Sequence, residues 1–288
     1  MPTNNRFSHF VAIDWSGAKG SKHKGIAVAI CTSGAAPPEI VAPPGKYWSR
    51  QAIADWVIAQ GRTSPTLFGF DFSFAPPCVE RKAYLPGDAT PKDARSFWDY
   101  VDRICQDEDL GAASLLEQHH RRHFYFGKAD GVKADYMHLR RCEAHYNAGG
   151  GGKPSTVYDA IGAAQVAKAS FAGMRLLHRL GQHLPVWPFD PVPDAGSAIV
   201  EIYTSIAARA AGRPKGRSKI REAAMLDAAL AAFGSARHTP LASYDDHATD
   251  AILTAAWLRR HAPNPQYWSP ESMTAEIART EGWTFGVL

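Results

Sequence analysis

The chain has 288 residues, of which 45% are hydrophobic and 21% charged, a balance that suits an ordinary globular protein with ample core. No apolar run reaches the ~20 residues a membrane helix needs, and the opening MPTNNRFSH lacks a signal-peptide pattern, so a cytoplasmic location is expected. The formal net charge of +4 does not by itself demand a nucleic-acid partner.

Taken in chain order, HFVAIDW (residues 9–15), KGIAVAICT (24–32) and PEIVAP (38–43) read as three strands. Ser16, Gly17 and Gly20, then Ser33, Gly34 and Pro37, supply the turns, so an antiparallel meander is expected. SRQAIADWVIAQG (49–61) places Ile53, Trp56 and Val57 at helical spacing, with Ser49 as N-cap and Gly61 as stop. TLFGFDFSF (66–74) is a strand reached through that helix, a candidate to lie parallel to an earlier strand. A helix is expected at about residues 92–107, then an irregular, basic, Gly-rich insertion at 108–156 with a short helix inside it. YDAIGAAQVAKASFAGMRLLHRLG (158–181) reads as a long helix, SAIVEIYTSI (197–206) as a strand and SKIREAAMLDAALAAFG (218–234) as an amphipathic helix. DDHATDAILTAAWLRRH (245–261) is a final helix with an acidic first turn, and EGWTFGVL (281–288) is expected to add an edge strand.

Two strands of this series end in the same way. VAIDWS and FGFDFS each close an apolar run with Asp, aromatic, Ser, at Asp14 and Asp71. Alternation puts Asp14 on one face with Ala12 and Ser16, and Asp71 on one face with Gly69 and Ser73. If the two strands are parallel neighbours, both carboxylates stand at the strand C-termini, where open α/β sheets bind ligands. Glu201 lies among apolar neighbours in IVEIY, and the last helix adds Asp246 and Asp250 one turn apart. Asp245 reads as that helix's N-cap, while Asp250 opens its apolar run. Converging acids repel unless a cation joins them, and hard oxygen donors suit Mg²⁺ or Mn²⁺. Two such ions ~4 Å apart can support phosphodiester cleavage.

The cations concentrate in QHHRRHFYFGK (118–128) and RAAGRPKGRSKIR (209–221), which read either as solvated faces or as phosphate contacts. Four cysteines without a CxxC pair fit a reducing compartment, and Cys78, after Pro-Pro, reads as a buried thiol before a nucleophile. Twelve histidines include no His-Glu-x-x-His or similar metal spacing.

This layout, with Asp14 on strand one, Asp71 on strand four and Asp250 on a late helix, resembles the ribonuclease H-like nuclease superfamily. More closely, VAIDWSG, LFGFDFSFAPP, RRCE (140–143), VEIYTSIA, Lys219 to Arg221, DDHATDAILTAAWL and EGWTFGV look like the bacterial predicted-nuclease family catalogued as domain-of-unknown-function family 429. Those pieces span nearly the full chain. HATDAILTAA is also similar to the last-helix motif of Holliday-junction resolvases, which would make His247, three residues before Asp250, an assistant to a metal, a water or the leaving oxygen. The resemblance implies a single ribonuclease H-like domain over residues 1–288: a mixed sheet opening β-β-β-α-β, helices on both faces and the insertion at 108–156.

The expectation is then a metal-dependent nuclease of DNA or RNA. Asp14, Asp71, Asp250, Glu201 and His247 would be catalytic, and Asp14, Asp71, Asp250 and Asp246 would hold Mg²⁺ or Mn²⁺. Lys19, Arg121, Arg122, Arg140, Arg141, Lys219 and Arg221 would track phosphates, and Tyr125, Phe126 and Tyr136 could stack on bases. The alternatives are an actin- or sugar-kinase-like phosphotransferase, for which DWSGAKG is a weak phosphate hairpin and DFSFAPP a poor one, and a non-catalytic nucleic-acid-binding module on the same fold.

Overall fold

The computed structural model describes residues 6–152, 154–161, 166–214 and 219–288. It is an α/β structure around one open, mixed sheet of five strands: β1 (His9–Asp14), β2 (Ala27–Thr32), β3 (Glu39–Ile40), β4 (Thr66–Asp71) and β5 (Ala198–Glu201), in the order β3-β2-β1-β4-β5. β1, β2 and β3 form the expected antiparallel meander, whereas β4 and β5 run parallel to β1. β3 is only two residues long, because Pro37, Pro38, Pro43 and Pro44 on either side have no N–H to give a ladder.

The helices are α1 (Arg50–Thr63), α2 (Ala94–Ile104), α3 (Arg141–Ala148), α4 (Val166–Leu180), α5 (Thr204–Ala210), α6 (Ala223–Ala231), α7 (Asp246–His261), α8 (Pro265–Trp268) and α9 (Ala275–Thr280). Ser49 caps α1 as expected, its hydroxyl accepting from the Ala52 N–H. Gly61 does not stop that helix. It sits inside α1, and a Cβ there would meet Leu184 at 3.2 Å, so its service is a close approach. Asp93 caps α2 and Asp245 caps α7.

Strand alternation divides the core into two. Val11, Ile13, Phe68, Phe70 and Ile199 point to one face, against α1, α2 and α4. Phe10, Ala12, Leu67, Ala198 and Val200 point to the other, against α7 and the C-terminal aromatics Trp283 and Phe285. Helix α7 approaches the sheet closely. Its buried Ala251, Ala255 and Ala256 leave little between the backbones. Gly69 of β4 lies under it, and a Cβ there would come within 2.6 Å of Ile202 and 2.9 Å of Leu258 of α7.

Several expected elements are shorter than the pattern suggested. The 197–206 strand stops at Glu201 and turns into α5 at Thr204. The helix expected at 158–181 runs from Val166. Tyr158 and Asp159 belong instead to a turn that bridges to Tyr125, and residues 162–165 lie outside the described residues. The helix expected at 218–234 begins only at Ala223, with Ser218 outside the described residues. EGWTFGVL forms a single parallel bridge, Thr284 to Glu201, because Gly282 and Gly286, both at positive φ, bend the chain away on either side. Residues 108–156 carry a series of short helical turns before α3, yet Leu110, Leu115, Leu116 and Phe124 from this stretch are fully part of the core. Among the described residues, no helix is long and apolar enough to cross a membrane.

Candidate functional site

The C-terminal ends of β1 and β4 open into a cleft of about 380 Å³. Asp14 and Asp71 are direct partners at the last position of the parallel β1–β4 register, so their side chains leave the sheet on the same face. That face is the one α7 covers, and Asp250, His247 and Asp246 of α7 complete the acidic wall. The opposite wall comes from Tyr146 of α3, Pro154 and Ser155, and Ser170 of α4.

The repeated Asp-aromatic-Ser pattern has a local explanation. Trp15 and Phe72 point to the other face, where their rings meet at 5.4 Å and Trp15 Nε1 donates to the Ala169 carbonyl at 3.0 Å. The aromatic residue thus anchors each strand end while its neighbour's carboxylate faces the cleft. Gly17 packs so tightly beneath α4 that a Cβ would lie 2.3 Å from Ala169 N. Arg50 takes the Ser16 and Ala18 carbonyls.

Three carboxyls in this cleft are perturbed in the same direction. Burial, then the neighbouring Asp14 charge, holds Asp71 well above the ordinary carboxylate range, and Asp250 adds to the shift. Burial, then Asp14 and Asp246, pushes Asp250 up to about 7. Burial raises Asp14 as well, partly offset by a hydrogen bond from His247. That bond, His247 Nδ1 to Asp14 Oδ2 at 3.0 Å, in turn raises the His247 imidazole against the opposing effect of burial. Asp71 also accepts from Thr204 Oγ1 at 3.1 Å, a partner at the first turn of α5 that no sequence pattern singles out. These are hard oxygen donors with no lysine or arginine bonded to them among the described residues, and such a donor set fits Mg²⁺ or Mn²⁺. They stand apart rather than collapsed. Among the described residues, the three ligand atoms that all lie within 4.8 Å of one another belong to Asp88, His120 and His123, none of which lines this cleft.

Glu201 does not join the acids. It alternates with Val200 and shares the face of Ile199, opposite to Asp14 and Asp71. Arg140 grips its carboxylate from below with Nη1 to Oε2 at 2.7 Å and Nη2 to Oε1 at 2.5 Å, while Phe74 N and Thr284 Oγ1 donate to it as well. Arg140 Nε also pairs with Glu143 at 2.9 Å. All three side chains are almost wholly buried. The expectation that Glu201 is catalytic and that Arg140 tracks phosphate is therefore corrected: both are spent on a buried ion-pair network that forms the floor of the cleft.

The other predicted cations are also partnered. Lys219 and Arg221 both bind the Asp246 carboxylate at the cleft mouth, which makes Asp246 a counter-ion and not a free metal ligand. Lys19 pairs with Glu117, Arg121 with Asp130, Arg122 with Asp88 and Arg141 with Glu80, and none of these four cations lines the cleft. Lys215 and Arg217 of the second basic run lie outside the described residues. Tyr125 is buried against Tyr136 and Arg121 lies over the Phe126 ring, so these aromatics pack within the protein. All four cysteines are free and buried, which bears out the reading of Cys78 as a buried thiol.

No family model, curated protein or solved structure matches this chain.

Proposed function

We propose that the protein is a metal-dependent nuclease of the ribonuclease H-like kind, acting on the phosphodiester bonds of DNA or RNA. The observation that carries this reading is the shared cleft of Asp14, Asp71 and Asp250, in which two acids are register partners at parallel strand ends and the third descends on α7. The strand order β3-β2-β1-β4-β5, with β2 running against the other four strands, supports the same fold reading. Asp14, Asp71 and Asp250 would hold Mg²⁺ or Mn²⁺, which when bound supplies charge neutralisation and activation of a water.

The chain's own residues do the rest. The buried Arg140–Glu201–Glu143 network keeps the floor rigid beneath the acids. His247 is half exposed at the mouth, and its bond to Asp14 favours the imidazolium, so it can hand a proton to a departing oxygen. Lys219 and Arg221 stand where a phosphate would pass and can exchange Asp246 for it.

The test is cleavage of single-strand, duplex, hybrid and branched substrates at fixed salt with Mg²⁺, Mn²⁺ or chelator. Cleavage that requires the cation and disappears in Asp71→Asn and Asp250→Asn supports the reading. Absence of cleavage across the whole panel, with folded protein and bound Mn²⁺, would overturn it.

A further inference from the structure

A second constellation lies outside the acidic cleft, where the turn Leu85–Asp88 meets the helical turns Leu115–His119 and Arg121–His123. One oxygen, Asp88 Oδ2, receives both imidazoles: His120 Nδ1 at 2.7 Å and His123 Nε2 at 2.8 Å. The remaining nitrogen of His120 is 2.7 Å from the Tyr100 hydroxyl of α2, which fixes the ring with Nδ1 turned into the cluster. Metal-bound histidines are held by an outer partner in the same way. Both His side chains are 8% exposed and Asp88 is 21% exposed, so the donors are sheltered but reachable from one side.

On that side stands Arg122. It binds the other oxygen of Asp88, and its Nε comes within 3.3 Å of His123 Nε2. That nitrogen is asked to serve two neighbours that make opposite demands. To donate to Asp88 it must carry a proton, and to accept from Arg122 it must not. A cation on the His123 lone pair removes the conflict, and Arg122, 62% exposed, is free to swing out.

We propose that Asp88, His120 and His123 form a transition-metal site of the Zn²⁺ class, with a fourth position open to water. Two imidazoles and one carboxylate are borderline donors that select zinc-like ions over Mg²⁺, the reverse of the all-carboxylate cleft. Tetrahedral Zn–N bonds of ~2.0–2.1 Å place ligand atoms about 3.3 Å apart, so the cluster opens by roughly half an ångström when the ion enters. Bound there, the metal ties residues 120–123 to the turn at Asp88 and through Tyr100 to α2. It staples the 108–156 segment to the sheet domain independently of any reaction in the cleft. The sequence offers only His-x-x-His at 120–123, and its third ligand lies 32 residues upstream, which is why spacing alone does not reveal it.

The experiment is titration of chelator-treated full-length protein with Zn²⁺ by calorimetry and thermal melting, and with Co²⁺ by visible absorption. One equivalent should bind, raise the melting temperature and give the absorption of four-coordinate Co²⁺. His120→Gln and His123→Gln should each weaken Zn²⁺ at least 10-fold, Arg122→Ala should tighten it by removing a competing charge, and Asp14→Asn with Asp250→Asn should leave it unchanged. Failure of the folded wild-type protein to take up Zn²⁺, or uptake indifferent to His123→Gln, would overturn the assignment. The four-coordinate Co²⁺ absorption of the wild type, which an all-oxygen cleft does not give, decides this even if a variant fails to fold. Mg²⁺ and nuclease activity play no part in it.

Discussion

Asp14 and Asp71 are register partners at the final rung of the parallel pair that the central strand β1 makes with β4. The ladder holds their Cα atoms side by side, so neither carboxylate can leave the other's field without leaving the strand. Burial and their mutual charge therefore penalise full ionisation of this pair and of Asp250.

The first prediction concerns pH. The folded-state values of Asp71 and Asp250 lie above the ordinary carboxylate value, Asp250 at about 7. At these two groups the folded chain therefore binds more protons than the unfolded chain above about pH 4, and the stability they contribute is lost as pH rises toward 7 and beyond. Asp250→Asn should be roughly 1–3 kcal/mol more stable than wild type at pH 8 without metal and no more stable at pH 4. Denaturant melts with chelator present check this, and Mn²⁺ should remove the advantage of Asp250→Asn. A difference between Asp250→Asn and wild type that does not grow from pH 4 to pH 8 would contradict it.

The second concerns the floor of the cleft. Arg140 is the single cation serving Glu201 and Glu143, all buried. Arg140→Ala leaves two uncompensated carboxylates and should cost about 3–5 kcal/mol in urea unfolding. Arg140→Lys should recover only part of this, since an ammonium cannot grip Glu201 with two parallel bonds. A loss below about 1 kcal/mol would mean that the network is not what holds the floor.

A third prediction sets two measurements against each other. In Lys219→Ala with Arg221→Ala, Asp246 is released from both its cations. Mn²⁺ affinity should rise as negative charge at the mouth grows. Nucleic-acid binding should weaken, and its log-log salt slope should flatten by about one unit for each phosphate no longer neutralised. Both quantities falling together would place the two cations in a structural role.

His247 provides the fourth. Its titration, followed by NMR of the ring protons, should lie above the ordinary histidine value in wild type and fall in Asp14→Asn, because the Asp14 hydrogen bond is the leading cause of the shift. In the nuclease assay His247→Gln should reduce turnover by ~10²-fold with substrate binding retained. An unchanged titration in Asp14→Asn would break the pair.

How much of this is legible in the sequence depends on where each residue's partner lies. β1, β2, β4, α1 and α7 can be read from periodicity and caps, and the two strand-end acids from the repeated Asp-aromatic-Ser motif, because those signals are local. Glu201 reads wrongly as a catalytic acid because its role depends on which face β5 turns to β4, a matter of register one residue either way. Arg140 reads wrongly as a phosphate contact because the carboxylate it serves is 61 residues away and its burial has no local signature. The 108–156 stretch reads as loop because its core contacts, Leu115 and Phe124 among them, come from short turns with no helical period.

The bare backbone at Gly69 sets the gauge of the whole cleft. Two residues along β4 from Asp71 and on the same face, it lets Ile202 and Leu258 press down where any side chain would stand within 2.9 Å of both. A methyl at position 69 would act as a shim under α7, prising Asp250 away from the strand-end pair without changing the chemistry of any acid. The spacing between the helix acid and the strand-end acids is thus governed by a residue that carries no side chain at all.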